Sequence, residues 1–241
     1  MEIARQMIPL LILAVFSMPA ASATKKHPND PHYIQVGFFD LHVCNWHDRK
    51  PFFLAVFSSY QYDQVKSVSV YAPDDKQVGL FDLSRFRVVE KKGKPRKKVF
   101  LTQMPLTDPV QNGWYRAEIK LNNGSSYMAK DLVHISIMPL ANNRSPADDA
   151  RDISNRSEFS WDPVPGAKYY KVYIRDLWDG ERIIHSSKLL RQPRYVIPAN
   201  VLQPGGFYSW RIHARDTNED PEVGDFNHGS LTDAIEFSVA Q

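Results

Sequence analysis

Cys44 and His42 stand two residues apart, with His47 three residues further on. In an extended strand, side chains at i and i+2 point the same way, so a thiol and an imidazole at this spacing can pair as nucleophile and base. A metal could use the same three side chains, but it would need further ligands and an outer shell. No third orienting group accompanies the pair. The expectation is therefore a small residue near a sheet edge, with the histidines partly exposed. Asp216-x-Asn218-x-Asp220, followed by Glu222 and Asp225, begins like a calcium loop. Pro221 stands where that loop needs glycine and Asn227 where it needs glutamate, which excludes an EF-hand and leaves a solvated acidic loop. No G-x-S-x-G, H-E-x-x-H or glycine-rich phosphate loop occurs. These residues predict a protein that is not an enzyme and holds no cofactor or metal.

Binding chemistry has better candidates. Lys91, Lys92, Lys94, Arg96, Lys97 and Lys98 put six positive charges within eight residues. The β-rich runs Arg85 to Glu90 and Lys97 to Thr102 flank them, so the pattern reads as a hairpin with a basic tip. Such a tip discourages edge-to-edge pairing and attracts an anionic glycan or a lipid head group. Nucleic acid is not expected, because no aromatic platform is interleaved with the charges. Tyr60 and Tyr62 lie on one face just after a strand, and Trp178 sits at a hairpin tip. Exposed rings at such places stack on sugars or anchor a protein partner.

Strands must position all of these. The clearest is Phe207 to Arg215, which follows the turn Pro204-Gly205-Gly206. Tyr208, Trp210, Ile212 and Ala214 alternate with Ser209, Arg211, His213 and Arg215, the period of a half-buried strand. In the N-terminal half, Thr24 to Pro31 reads as a loose polar lead-in. Short runs follow at Tyr33 to Cys44, Pro51 to Ser59, Val65 to Ala72, the basic hairpin, Gly113 to Leu121 and Ser126 to Ile137. Pro51 to Ser59 is apolar on both faces, as a central strand would be. Asn122-Asn123-Gly124 supplies a hairpin turn. About seven short strands with frequent turns predict a β-sandwich over residues 32–138, whose layout loosely resembles a bacterial immunoglobulin-like domain. Residues 139–149 are polar and read as an interdomain linker, with a first strand of the next domain at Ala150 to Ile153.

In residues 150–241, Trp161, Pro165-Gly166-Ala167 before Tyr170-Lys171-Val172-Tyr173-Ile174, Leu202-x-Pro204-Gly205-x-x-Tyr208, Trp210-Arg211-Ile212-x-Ala214 and the closing Phe237-x-Val239 together resemble a fibronectin type III domain. The resemblance implies a second sandwich in which the Tyr208 hydroxyl bonds back to nearby backbone. The expected fold is thus all-β, two tandem sandwiches, immunoglobulin-like then fibronectin type III-like.

The chain begins with Arg5, an apolar run from Ile8 to Phe16 and Ala21-Ser22-Ala23, the pattern of a secretory signal peptide over residues 1–23. The run is shorter than the roughly 20 apolar residues a bilayer span requires. The expectation is an exported protein of the periplasm or extracellular space, not a transmembrane one. Cys44 is the only cysteine, so no internal disulfide can form and the cores alone must hold the domains. A net charge of +3 is too weak to imply nucleic acid. The combined expectation is a non-catalytic binding or scaffolding protein of the cell envelope acting through protein–protein contacts, with a carbohydrate- or anionic-glycan-binding module as the alternative.

Overall fold

The computed structural model describes residues 30–90, 92–93, 95–106, 110–216 and 226–241. The signal-like segment and most of the acidic loop lie outside the described residues. The fold is all-β. In chain order the strands are β1 (Tyr33–Ile34), β2 (Gly37–Trp46), β3 (Phe52–Ser59), β4 (Val65–Tyr71), β5 (Gln77–Leu80), β6 (Phe86–Val89), β7 (Lys97–Pro105), β8 (Gly113–Leu121), β9 (Ser126–Val133), β10 (Ala150–Ile153), β11 (Glu158–Ser160), β12 (Tyr169–Asp176), β13 (Arg182–Ser186), β14 (Arg194–Val196), β15 (Phe207–Arg215), β16 (His228–Leu231) and β17 (Ile235–Val239). The run expected as one strand from Tyr33 is split, because the chain turns back at Gln35–Val36 and pairs Tyr33 with Phe38.

The first sandwich packs β2, β3, β7 and β6 against a four-stranded sheet of order β5-β4-β8-β9. Alternation aims Phe39, Leu41, Val43, Phe53, Ala55 and Phe57 at Val68, Val70, Ala117 and Ile119, forming one buried core. β3 is central, paired on both sides, as its two apolar faces require. β6 and β7 form the expected hairpin, and so do β8 and β9. In the second sandwich, β15 carries β12 along its whole length and β17 along its first half. Phe159, Trp161, Tyr170, Trp210, Ile212 and Phe237 fill its core. The Tyr208 hydroxyl accepts the Gln203 N–H at 2.8 Å, closing the corner. Gly206 is required there, since a Cβ on it would lie 2.4 Å from that hydroxyl. The first sandwich has a corner of its own, in which Tyr115 donates to the Gln111 carbonyl at 2.9 Å.

Residues 139–149 do not hang free between the halves. Met138 and Ala141 are buried in the second core, Ser145 bridges Ser160, and the Trp210 indole donates to the Pro146 carbonyl at 3.2 Å. Their small and apolar side chains fit the gap beside β11, which a purely polar reading of the segment overlooks. Beyond it, β10 runs parallel to β17.

The halves are joined directly. β16 leaves the second half of β15 and pairs in parallel with β2, setting His228 opposite Val43 and Leu231 opposite Trp46. Val43 N–H donates to Asn227 O at 2.8 Å and His47 N–H to Leu231 O at 3.1 Å. One sheet therefore runs through both sandwiches. Cys44, Phe52 and Phe226 make a small third core over this seam, flanked by Trp46 and Leu54.

Candidate functional site

The pairing of β3 with β7 brings two of the sequence-derived candidates to one end of the sheet. Ser59, the last residue of β3, faces Lys98, and Tyr60 and Tyr62 follow at once. The Ser59 hydroxyl donates to Val36 O and accepts the Gln61 N–H, fixing this turn. The Lys98 ammonium sits 4.3 Å from the Tyr62 ring centroid and 3.9 Å from that of Phe86, while Lys97, on the opposite face, lies 5.7 Å from Tyr60. Ring quadrupoles attract these cations by about 0.5–1 kcal/mol each at such exposed sites. The lysines are thus half-buried on aromatic rings and not wholly solvated. Arg96 is engaged by Glu90, through Nε at 2.7 Å and through a second nitrogen. Lys92 is exposed, and Lys91 and Lys94 lie outside the described residues. This end of the sheet sets positive charge against aromatic rings on both faces, Lys98 with Tyr62 and Phe86 on one and Lys97 with Tyr60 on the other. Trp178 is elsewhere. It stands 73% exposed in the turn between β12 and β13, on the second sandwich.

A second surface escaped the sequence. On the outer face of the four-stranded sheet, Trp114 and Leu132 are register partners, exposed by 47% and 57%. Exposed Met128 lies along the same face, as does Arg116, which packs over the Tyr71 ring at 5.3 Å. The signal was present, since β8 alternates Tyr115, Ala117 and Ile119 inward with Trp114 and Arg116 outward. The basic residues on that outer row hid the significance of Trp114.

The polar residues around β2 cluster in the interior. His42 is buried, with Nε2 2.7 Å from Asp40 Oδ2, so that nitrogen serves Asp40. Its partly exposed expectation fails because Phe226 packs over it, tilted, with ring centroids 3.9 Å apart. Burial pushes the Cys44 thiol up to about 12, against a smaller opposing pull from Arg215. A nucleophile needs thiolate, and this site suppresses it. His47 is exposed at the end of the strand. The lead-in expected to be loose is tied down from Asp30 onward. Pro31 O accepts the Lys130 N–H, and His32 lies between Asp30 and Asp131, with Nδ1 2.6 Å and Nε2 3.1 Å from their carboxylates. Asp131 in turn accepts the Leu41 N–H at 2.8 Å. Burial disfavours the His32 imidazolium, but Asp131 and Asp30 outweigh it and hold the ring up at about 10.

Across the seam, His213 packs edge-on against Phe226 at 5.2 Å, with Arg215 over the same ring at 4.8 Å. Burial, helped by the Arg215 charge, holds His213 well below its usual range. Asp216, first residue of the acidic loop, turns its carboxylate inward, accepting the N–H groups of Asn227 and His228 at 3.0 Å and meeting His228 Nδ1 at 2.6 Å. That fixes the start of β16. Asn218, Asp220, Glu222 and Asp225 lie outside the described residues.

No family model matches the chain, and no curated protein does. Among solved structures, it is similar to dimeric latent PorU from Porphyromonas gingivalis, at 15% identity and a TM-score of 0.29 over 85% of this chain and 20% of that one. It is similar to the FN1–FN3 domains of chicken CNTN1, at 12% identity and a TM-score of 0.30 over 86% of this chain and 65% of that one. It is also similar to Dpr11 IG1 bound to DIP-gamma IG+IG2, at 15% identity and a TM-score of 0.22 over 84% of this chain and 98% of that one. The chain thus spans less than two thirds of the first two. Among the described residues, no helix is long and apolar enough to cross a membrane. What the strand pairing and the two buried cores establish is an all-β fold of packed β-sheets.

Proposed function

We propose that the chain is an exported, non-catalytic binding or scaffolding protein of the cell envelope, meeting a protein partner through the outer face of the four-stranded sheet. The observation that carries this is the opposed pair Trp114 and Leu132, roughly half exposed, beside Met128 and Arg116. Aromatic residues, methionine and arginine are the types enriched where proteins meet, and a central Trp beside Arg is the usual composition of a hot spot. The β2–β16 pairing supports the scaffolding part, because it holds the two sandwiches in one sheet. Export rests on the signal-like residues 1–23. The test is a photo-crosslinking residue placed at Leu132 or, as a control, at the exposed Val196 on the second sandwich. A discrete product at Leu132, lost on Trp114→Ala and missing at Val196, is expected. Equal products at both positions refute the surface.

A second reading is binding of an anionic glycan or a lipid head group at Lys97, Lys98, Tyr60, Tyr62 and Phe86. The seating of Lys98 between two rings favours it. Binding to an acidic polysaccharide should fall steeply with ionic strength and weaken in Lys98→Glu. Salt-independent binding refutes this reading.

A further inference from the structure

His32, Asp40 and Asp131 come from three separated parts of the chain, the lead-in, β2 and β9, and meet beside the edge of β2. One ligand atom from each lies within 4.8 Å of the other two. The Asp40 and Asp131 side chains are 2% and 3% exposed, whereas His32 is 27% exposed and opens the group to solvent. We propose that these three side chains form a binding site for a divalent transition metal, with Zn2+ the best match.

Three features carry the assignment. The donors are one imidazole nitrogen and two carboxylate oxygens, a set that suits zinc, with a remaining position for water. With bonds of about 2.0–2.1 Å, tetrahedral zinc ligands stand about 3.3 Å apart. His32 Nε2 and Asp131 Oδ1 are 3.1 Å apart, so that edge is already formed. Each donor group is also oriented from behind. Asp30 holds His32 Nδ1 at 2.6 Å, which turns Nε2 inward. His42 holds Asp40 Oδ2 at 2.7 Å, and the Leu41 N–H holds Asp131 Oδ2 at 2.8 Å. Carboxylate–imidazole pairs of this kind fix tautomer and ring orientation at metal centres.

The third feature is charge. Asp40 and Asp131 are buried close together, and carboxylates in that position repel. Among the described residues, the side chains bonded to them are histidines, with no lysine or arginine. A dication neutralises both carboxylates.

The test uses the purified full chain, stripped with a chelator and titrated with Zn2+ against a chromogenic competitor. One equivalent should bind, with a rise in Tm that grows with free zinc. Asp131→Asn should weaken binding at least 100-fold. Asp30→Asn, which keeps all three donors and loosens only the imidazole, should weaken it about 10- to 100-fold. His47→Ala, at an exposed histidine outside the group, should change nothing. Failure of folded wild type to take up one equivalent, or unchanged affinity in Asp30→Asn, overturns the site. If Asp131→Asn does not fold, Asp30→Asn decides.

Discussion

Gly229→Ala probes the seam between the sandwiches. Gly229 stands opposite Cys44, and a Cβ there would lie 2.6 Å from a Phe226 ring carbon and 3.0 Å from His213 Nε2. The backbone tolerates alanine, so the whole cost is steric. Phe226 cannot swing aside cheaply. It is 3% exposed, with His42 at 3.9 Å, His213 at 5.2 Å and Arg215 at 4.8 Å around its ring. Overpacking a filled site by one methyl costs about 1–3 kcal/mol. The strain falls on the β2–β16 ladder, whose opening should become about 5- to 150-fold more frequent. Amide hydrogen exchange reads this directly. Val43 N–H and His47 N–H, which donate across the seam, should exchange faster by that factor. Amides of β4 and β8 in the opposing sheet should keep wild-type rates. Unchanged exchange at Val43 and His47 in a folded variant would show that β16 is not wedged against β2.

Tyr208→Phe removes the hydroxyl that accepts the Gln203 N–H and should cost about 1–3 kcal/mol, read as a fall in Tm of about 2–4 °C per kcal/mol. An unchanged Tm refutes the corner as a stabilising bond. Burial keeps His213 neutral in the folded chain, so below pH about 6.5 the unfolded chain takes up a proton that the folded one refuses. Stability from this site therefore falls on acidification, by up to about 1.4 kcal/mol per pH unit, and denaturant melts of His213→Leu should show a shallower acid slope than wild type. His228 acts oppositely. Its hydrogen bond to Asp216 outweighs burial and raises its pKa, so its contribution is complete below pH about 6.5 and is lost as pH rises through the raised value. His228→Gln should remove that alkaline loss. Cys44, buried and pushed up to about 12, should resist thiol reagents until denaturant unfolds the chain, and fast labelling of native protein would contradict its burial.

Period-two alternation made most strands legible, because burial on one face is written residue by residue. Phe207 to Arg215 and Gly113 to Leu121 appear where the pattern puts them. The β5 and β16 strands did not show. Gln77–Leu80 and His228–Leu231 are four-residue runs, each containing a glycine and too short to sustain an alternation. They are stabilised by neighbours distant in sequence, which no local pattern encodes. The same reason hid the His32–Asp40–Asp131 group, since register across two sheets assembles it. Tyr62 and Lys98 were each visible as types. Their contact was not, because it depends on which residue of β7 stands opposite Ser59.

The parallel ladder between β2 and β16 also sets an order of events for a growing chain. Of the two, β2 is made first, while the strand that completes its far side follows only with His228, after both sandwiches' other paired strands except β17. Contacts so distant in sequence carry a large loop-closure cost and form late. The first sandwich must therefore assemble with Cys44 and Phe52 still uncovered. Arrival of Phe226 and β16 is the latch that ends this vulnerable interval, so a truncation before His228 would leave the finished N-terminal half sticky and the protein permanently at an intermediate stage.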